Sequence, residues 1–259
     1  MKRLMGGMGL ACLLGTAAVA GGPVLREQVR VKVDGVVERW RLEWRSTPAL
    51  ECFESSGAVS CGCEGFAYAE RGDLELVRLR PGKPPERVPL TPLFENLAMK
   101  VDEPKAMLRR WAPREGDDEI HPDKLMGVLG RRKSLRAMEL GDYDHDGQAR
   151  EFVLQTNAFI CGLREAVLIG YDRRDGRVRA LGTAEHPEKP LVLEPETWAE
   201  LLKSKQVERV EMECGDHGSE IRDVMRVSAD DKGLHATLDR YPCTDDEDGV
   251  GERESSKAL

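Results

Sequence analysis

The residues best suited to chemistry in this sequence are three aspartates that alternate along a short acidic stretch, residues 140–152. Asp142, Asp144 and Asp146 are followed immediately by Gly147. This spacing lets three carboxylates converge on one hard cation while the backbone turns sharply at the glycine. Since calcium takes six to eight oxygen ligands, the pattern predicts a calcium-binding loop.

The remaining calcium ligands are expected from the second half of the loop. In loops of this form a backbone carbonyl follows the three carboxylates, here that of Gln148. A regular EF-hand would end in a bidentate glutamate, but that position holds Val153, and the later carboxylate nearby is Glu151. The sequence therefore predicts a calcium site formed by Asp142, Asp144, Asp146, Gln148 and Glu151.

The loop is flanked by two short apolar runs, 134–140 and 152–156, that are predicted as strands. An Asp-x-Asp-x-Asp-Gly loop between two strands resembles the FG-GAP and VCBS-type repeats, whose loop joins antiparallel strands and binds calcium. The resemblance covers 142–151 and no other part of the chain. That family usually has its next acidic residue one place earlier, where this chain has Arg150. Either Glu151 substitutes for it or the site is weaker.

A polar turn without an ion is the alternative interpretation of the acidic loop. Its aspartates would then cap their own backbone as Asx-turns. Three carboxylates this close repel one another without a cation, which favours calcium. His145 lies between two predicted ligands and is expected to point away from them, as a solvated spacer and not as a ligand.

The first twenty residues are typical of a secretory signal peptide. Lys2 and Arg3 precede an apolar stretch that ends in Ala-Val-Ala, so cleavage is expected after Ala20. The prediction places the mature protein in the periplasm or outside the cell, with an unknown envelope or extracellular partner. No later segment reaches the roughly 20 apolar residues needed to span a bilayer. The formal net charge of −8 disfavours nucleic acid and anionic membranes as partners.

Six of the 7 cysteines follow the predicted cleavage site. An even number in an oxidising compartment predicts disulfides, although sequence alone does not determine their connectivity. A bridge between Cys61 and Cys63, which are separated by one glycine, would be strained. The expected pairs are Cys52–Cys61, Cys63–Cys161 and Cys214–Cys243. A metal site at Cys61 and Cys63 is the alternative.

The predicted fold class is mainly β (α+β), built from antiparallel meander sheets, one of them blade-like, with a short helical segment around 94–129. The clearest hairpin turns at Asp34-Gly35 and places Trp40 and Trp44 in the core. The predicted organisation is a signal peptide (1–20), an N-terminal β region with a cysteine loop (21–93), a helical or linker segment (94–133), a β meander with the acidic loop and C-terminal strands (134–243), and a disordered acidic tail (244–259).

The second half of the chain contains most of the predicted regular elements. Four strands in sequence, at 134–140, 152–156, 166–171 and 178–181, predict the blade-like sheet. A short helix is expected to begin at Pro195. Three further strands, at 207–214, 221–228 and 234–241, are expected to complete the domain.

No motif in the sequence identifies a catalytic site: it has no serine-hydrolase elbow, phosphate-binding glycine loop or His-Glu-x-x-His pattern. The leading prediction is an exported, disulfide-stapled, calcium-stabilised, non-catalytic β-rich protein with a role in binding or structure. Two alternatives remain open. One is a calcium-dependent hydrolase of envelope polymer, with catalytic groups between the helical segment and the main sheet. The other is a secreted inhibitor or interaction protein that uses the loop at 52–65.

Overall fold

The computed structural model describes residues 22–53, 63, 65–94, 104–159, 163–244 and 249–259. Within these ranges the chain is mainly β, with four antiparallel sheets and two α-helices, so the predicted fold class is confirmed. The predicted signal peptide and most of the cysteine loop lie outside the described residues. None of the described helices is long and apolar enough to cross a bilayer.

The N-terminal sheet forms from the predicted hairpin and two later strands. The first six strands are β1 (Val24–Val33), β2 (Val36–Trp44), β3 (Ala49–Glu51), β4 (Ala69–Gly72), β5 (Leu74–Leu79) and β6 (Glu86–Pro89). The sheet has the order β1-β2-β5-β6. Asp34 and Gly35 both have positive φ angles, 49° and 83°, as a two-residue hairpin turn requires. The inner face buries Trp40 and Trp44 completely, which confirms their predicted core position.

Most of the described residues of the predicted helical segment are not helical. Residues 91–94 form a single 3₁₀ turn, Ala106–Arg109 form strand β7, and only Pro122–Leu129 form an α-helix, α1. Strand β7 pairs with β4 in a small sheet of order β3-β4-β7. The apolar run in β7 is too short for a stable helix, and β4 offers it an unpaired edge. Residues 95–103 lie outside the described residues.

The central sheet contains β8 (Glu151–Ala158), β9 (Arg164–Asp172), β10 (Arg177–Ala180) and β11 (Val192–Leu193). Strand β9 pairs with β8, β10 and β11, so the predicted strands after the acidic loop are confirmed. The predicted strand 134–140 is wrong. Side chains of β1, and not a neighbouring strand, make hydrogen bonds with its backbone: Arg26 Nη2 donates to the Leu135 carbonyl at 3.0 Å, and Ala137 N donates to Glu27 Oε2 at 2.6 Å.

Both faces of β9 are buried, which explains its continuous apolar sequence. Val167, Ile169 and Tyr171 pack into one core with the inner face of the N-terminal sheet. Ala166 and Leu168 face the other way, into a second core formed with the C-terminal sheet. The central sheet therefore lies between the other two large sheets, and its strand ends carry the acidic loop.

The C-terminal part consists of α2 (Pro195–Leu201), β12 (Gln206–Met212), β13 (Ile221–Asp230), β14 (Gly233–Pro242) and β15 (Ser255–Ala258). The helix at Pro195 and the three following strands are confirmed. The prediction of a disordered tail is wrong for residues 249–259, because β15 pairs with the open edge of β14. The carbonyl of Leu259 also accepts a hydrogen bond from Thr183 Oγ1 at 3.1 Å. Residues 245–248 lie outside the described residues.

Two disulfides are present among the described residues, Cys52–Cys63 and Cys214–Cys243. The second pair is confirmed. The pairs Cys52–Cys61 and Cys63–Cys161 are wrong, because Cys52 is bonded to Cys63. Two backbone hydrogen bonds bring these cysteines together: Tyr68 N donates to the Cys52 carbonyl, and Phe66 N donates to the Cys63 carbonyl. A metal site that uses the Cys63 thiolate is also wrong, since its sulfur is in the bridge. Cys61 and Cys161 lie outside the described residues.

Candidate metal site at the acidic loop

The acidic loop is closed at its base by a single pair of backbone hydrogen bonds. Gly141 N donates to the Glu151 carbonyl at 2.8 Å, and Glu151 N donates to the Gly141 carbonyl at 3.2 Å. Inside the loop Asp142 Oδ2 accepts from Gly147 N at 3.0 Å, and Asp144 Oδ1 accepts from the Asp146 amide at 3.2 Å. Gly147 has a φ of 89°, which is the conformation that the predicted sharp turn needs.

Three of the predicted ligands converge on one point. Asp142, Asp144 and Glu151 each offer a carboxylate oxygen, and these oxygens lie within 4.8 Å of one another. Asp144 is 5% exposed and Glu151 is 0% exposed. Glu151 opens strand β8, and the bridge to Gly141 holds that strand beside the loop. The glutamate one place later than in the resembling family therefore lies with the first two aspartates.

Glu151 is the most constrained carboxylate of the group. Its Oε2 accepts one hydrogen bond, from Tyr143 N at 3.3 Å, while its buried Oε1 has no hydrogen-bond partner. Burial, followed by the negative charge of Asp144, raises the pKa of Glu151 to about 9. Across the sheet its partner is Gly170, where a Cβ atom would lie 2.6 Å from Glu151 Cγ. The glycine therefore provides the space that the glutamate side chain occupies.

Asp146 lies outside this three-carboxylate group. Its Oδ2 forms an ion pair with Arg150 and lies 3.7 Å from Arg173 Nη1, while its Oδ1 accepts from Gln148 N at 2.9 Å. Arg150 is 1% exposed and stacks on Tyr171, with its guanidinium carbon 4.9 Å from the ring centre. Asp146 and the carbonyl of Gln148 remain predicted ligands.

The charges around the loop do not cancel. The carboxylates of Asp142, Asp144, Asp146 and Glu151 are accompanied by two guanidinium groups, those of Arg150 and Arg173. Two negative charges are left over when all four acids are ionised, which is the charge that one divalent cation balances. Burial and the neighbouring Asp146 raise the pKa of Asp144, as expected for a carboxylate that lacks sufficient counter-charge.

A cavity of about 260 Å³ adjoins the loop and gives a path from solvent to Asp144. Its walls come from four parts of the chain: the acidic loop, the turn after β9, the connection at 181–184 and the hairpin between β13 and β14. Arg173 also lines it, with Arg173 Nη2 3.5 Å from Asp144 Oδ2. An ion could therefore reach the carboxylates from this side.

His145 points away from the carboxylate group, as predicted, but it is not a solvated spacer. Its Nε2 lies 2.6 Å from the Leu201 carbonyl and 3.1 Å from the Ser204 carbonyl, at the end of α2. The imidazole thus fixes the loop to the helix. Sequence reasoning noticed Arg150 as a departure from the repeat pattern. It missed Arg173, because that residue approaches the loop only through the folding of β9 and β10.

Comparisons of this chain with protein-family models, curated proteins and solved structures find no match. The arrangement itself shows what chemistry the site can support. Three clustered carboxylates, two of them buried, can hold a hard cation through oxygen ligands.

Proposed function

We propose that this chain is an exported, disulfide-stapled β protein that binds calcium at the acidic loop, and that the ion stabilises the fold and takes no part in catalysis. Its role is binding or structural, in the periplasm or outside the cell. The two disulfides support an oxidising compartment, since such bridges persist there and are rare in the cytosol. The basic and apolar start of the sequence supports export.

One observation supports the calcium proposal above the others: Glu151 is fully buried beside Asp142 and Asp144, and its Oε1 accepts no hydrogen bond, with Arg150 Nε 3.7 Å away. Burying a carboxylate oxygen that accepts no hydrogen bond is costly, and most buried polar atoms are therefore hydrogen-bonded. A polar turn without an ion explains the Asx hydrogen bonds of the loop. It leaves the buried position of Glu151 without a physical reason, whereas a cation supplies one.

Asp142, Asp144 and Glu151 would hold the ion, with the carbonyl of Gln148 and Asp146 as further predicted ligands. A bound calcium ion would supply positive charge at the base of the loop. The loop connects the segment before Gly141 to the first residue of β8, so the ion would join two parts of the chain at the edge of the central sheet. Anything that binds only the folded form stabilises it by mass action.

The test is a calcium titration of the mature protein followed by thermal unfolding. Weak extracellular calcium modules bind at about 10⁻⁴ to 10⁻³ M, and this loop lacks the terminal EF-hand glutamate, so we expect affinity in that range. At ten- to a hundredfold excess over Kd, the ion should add roughly 1.4 to 2.7 kcal/mol to the free energy of unfolding. Magnesium should add less, because it requires stricter octahedral geometry.

Two variants and a matched control make the titration specific. Glu151→Gln and Asp144→Asn keep the size of each side chain and remove its charge, and we expect both to lose the calcium response. Asp118→Asn removes an exposed aspartate far from the loop in sequence and should respond as the wild type does. An unchanged wild-type melting curve at 10 mM calcium, about ten times the weakest expected Kd, would reject the proposal.

A further inference from the structure

Arg109 lies at the end of β7. Its Nη2 donates to the Gly65 carbonyl at 2.7 Å, and its buried Nε has no hydrogen-bond partner. No carboxylate in the described part of the chain forms an ion pair with it. The next residue, Arg110, shows the usual arrangement, because its Nη1 lies 2.7 Å from Glu70 Oε1.

The surroundings of Arg109 disfavour its charge. Burial lowers the pKa of Arg109, and the positive charge of Arg164 lowers it further. Arg109 is partly buried, and a charged side chain that is partly removed from water normally has a counter-ion. Neither the carbonyl of Gly65 nor Arg164 supplies negative charge. The described residues therefore offer Arg109 no anion.

A cavity of about 210 Å³ lies beside Arg109, where β7 approaches β8. Most of the residues that line it are apolar, although polar and apolar atoms contribute about equally to its surface, and the polar side chains beside Arg109 are those of Gln155 and Arg136. Arg136 is 55% exposed at the side chain and is paired with Glu27 at 3.5 Å, so Arg109 is the cation of the cavity wall that lacks a carboxylate among the described residues. The apolar lining consists of Phe66, Met107, Leu108, Leu135, Ala137, Val153 and Leu154.

We propose that this cavity binds a small carboxylic acid anion whose carboxylate pairs with Arg109 and whose apolar body lies against Phe66 and Val153. Guanidinium and carboxylate groups match in geometry and form two parallel hydrogen bonds. Ligand sites typically combine an apolar wall with a few polar groups that fix orientation. A cavity of about 150 Å³ holds benzene, so about 210 Å³ suits a chain or ring of roughly six carbons with its carboxylate.

The test is calorimetric titration of the mature protein with hexanoate. We expect saturable binding at millimolar concentration or below, and weaker binding of acetate, which lacks the apolar body. Hexanol has the body without the charge and should bind at least tenfold more weakly than hexanoate. Arg109→Met should abolish hexanoate binding, whereas Arg30→Met, which removes an exposed arginine from β1, should leave it unchanged.

Thermal unfolding without ligand separates a binding role of Arg109 from a structural one. If Arg109 awaits an anion, Arg109→Met removes an uncompensated charge and the melting temperature should stay the same or rise. A fall in the melting temperature together with unchanged hexanoate binding would overturn the proposal. Arg109→Lys keeps the charge without the two-pronged geometry, and it should fold and bind hexanoate about tenfold more weakly. Failure of wild-type protein to bind hexanoate, or equal binding of hexanol, would also reject the site.

Discussion

The acidic loop and the turn after β9 each bury a carboxylate, and their environments shift its pKa in opposite directions. Glu151 is 0% exposed, and its pKa rises to about 9. Asp172 is 4% exposed, and its pKa falls far below the ordinary value for aspartate. Both side chains lie at the same end of the central sheet, at the start of β8 and the end of β9. Because both are buried, burial does not explain why their pKa values shift in opposite directions.

The number of hydrogen-bond donors around each carboxylate explains the difference. Burial by itself raises the pKa of Asp172, but Arg174 and Arg179 outweigh it with charged hydrogen bonds. Arg174 donates through Nε at 2.9 Å and Nη2 at 2.8 Å, and Arg179 donates through Nε at 2.8 Å. Glu151 receives one backbone hydrogen bond, and the nearest guanidinium nitrogen, Arg150 Nε, is 3.7 Å away. The turn after β9 thus supplies its own cations, whereas the acidic loop has a deficit of positive charge.

The largest effect is expected from removing the satisfied carboxylate. Asp172→Asn leaves Arg174 and Arg179 without their shared partner, and because those arginines are 40% and 34% exposed the cost should be roughly 1 to 2 kcal/mol, less than for a fully buried pair. In a calcium chelator at neutral pH, Glu151→Gln should not lower the free energy of unfolding and should raise it, because glutamine removes the cost of protonating a buried carboxyl whose pKa is raised to about 9. Urea unfolding of both variants measures the contrast. Asp175→Asn removes a more exposed carboxylate that also pairs with Arg179, at 3.3 Å, and should cost less than Asp172→Asn.

Equal destabilisation by the two substitutions would contradict this comparison, since it would mean that Glu151 already has its counter-charge within the chain. Calcium provides a second check on the same variants. Asp172→Asn should keep the calcium response of the wild type, although its starting stability is lower, and Glu151→Gln should lose it. A lost response in Asp172→Asn would show that the two turns are not independent.

A smaller effect is expected from Arg173, the half-exposed cation between the two turns. Its guanidinium lies 3.5 Å from Asp144 and would repel a bound calcium ion. Arg173→Gln should therefore increase calcium affinity about threefold, since exposed charges interact weakly through water. Calorimetric titration at low ionic strength measures the change. Arg177→Gln removes a nearby exposed arginine and should leave affinity within error, whereas weaker calcium binding by Arg173→Gln would contradict the repulsion.

The smallest effect on stability is expected at His235, whose positive charge is lost as the pH rises. His235 Nδ1 lies 2.7 Å from Glu185 and Nε2 lies 3.1 Å from Asp230. Burial lowers the pKa of His235, but these hydrogen bonds and charges raise it overall above 6.5. The ion pairs are therefore complete below pH 6.5, and their stabilisation is lost as the pH rises through the raised pKa.

The measurement for His235 is the free energy of unfolding between pH 6 and 9. Because the side chain is 26% exposed, the loss should be about 0.5 kcal/mol. His235→Gln should remove that pH dependence. His186→Gln, which replaces an exposed histidine next to Glu185, should retain it. An identical pH profile in wild type and His235→Gln would show that the imidazole charge contributes nothing. The arginine-held Asp172 should show no such loss in this range.

The sequence determined the local elements of this protein. Alternating apolar residues predicted β1 and β2, and Asp34-Gly35 predicted their turn, because strand period and turn chemistry depend on neighbouring residues. The helix at Pro195 follows from equally local signals. The spacing of Asp142, Asp144 and Asp146 likewise identified the acidic loop, and the search for a later carboxylate led to Glu151. These predictions needed no knowledge of distant contacts.

The tertiary structure decided which groups meet across the chain. It made β7 a strand and gave β15 a partner, since open sheet edges recruit short segments whatever their own propensity. It paired Cys52 with Cys63, and it placed Arg109 beside a cavity where no carboxylate of the described residues pairs with it. At the acidic loop it turned Asp146 toward Arg150 and placed Glu151 over Gly170. Such contacts depend on strand register and packing between segments far apart in sequence, which local patterns do not encode.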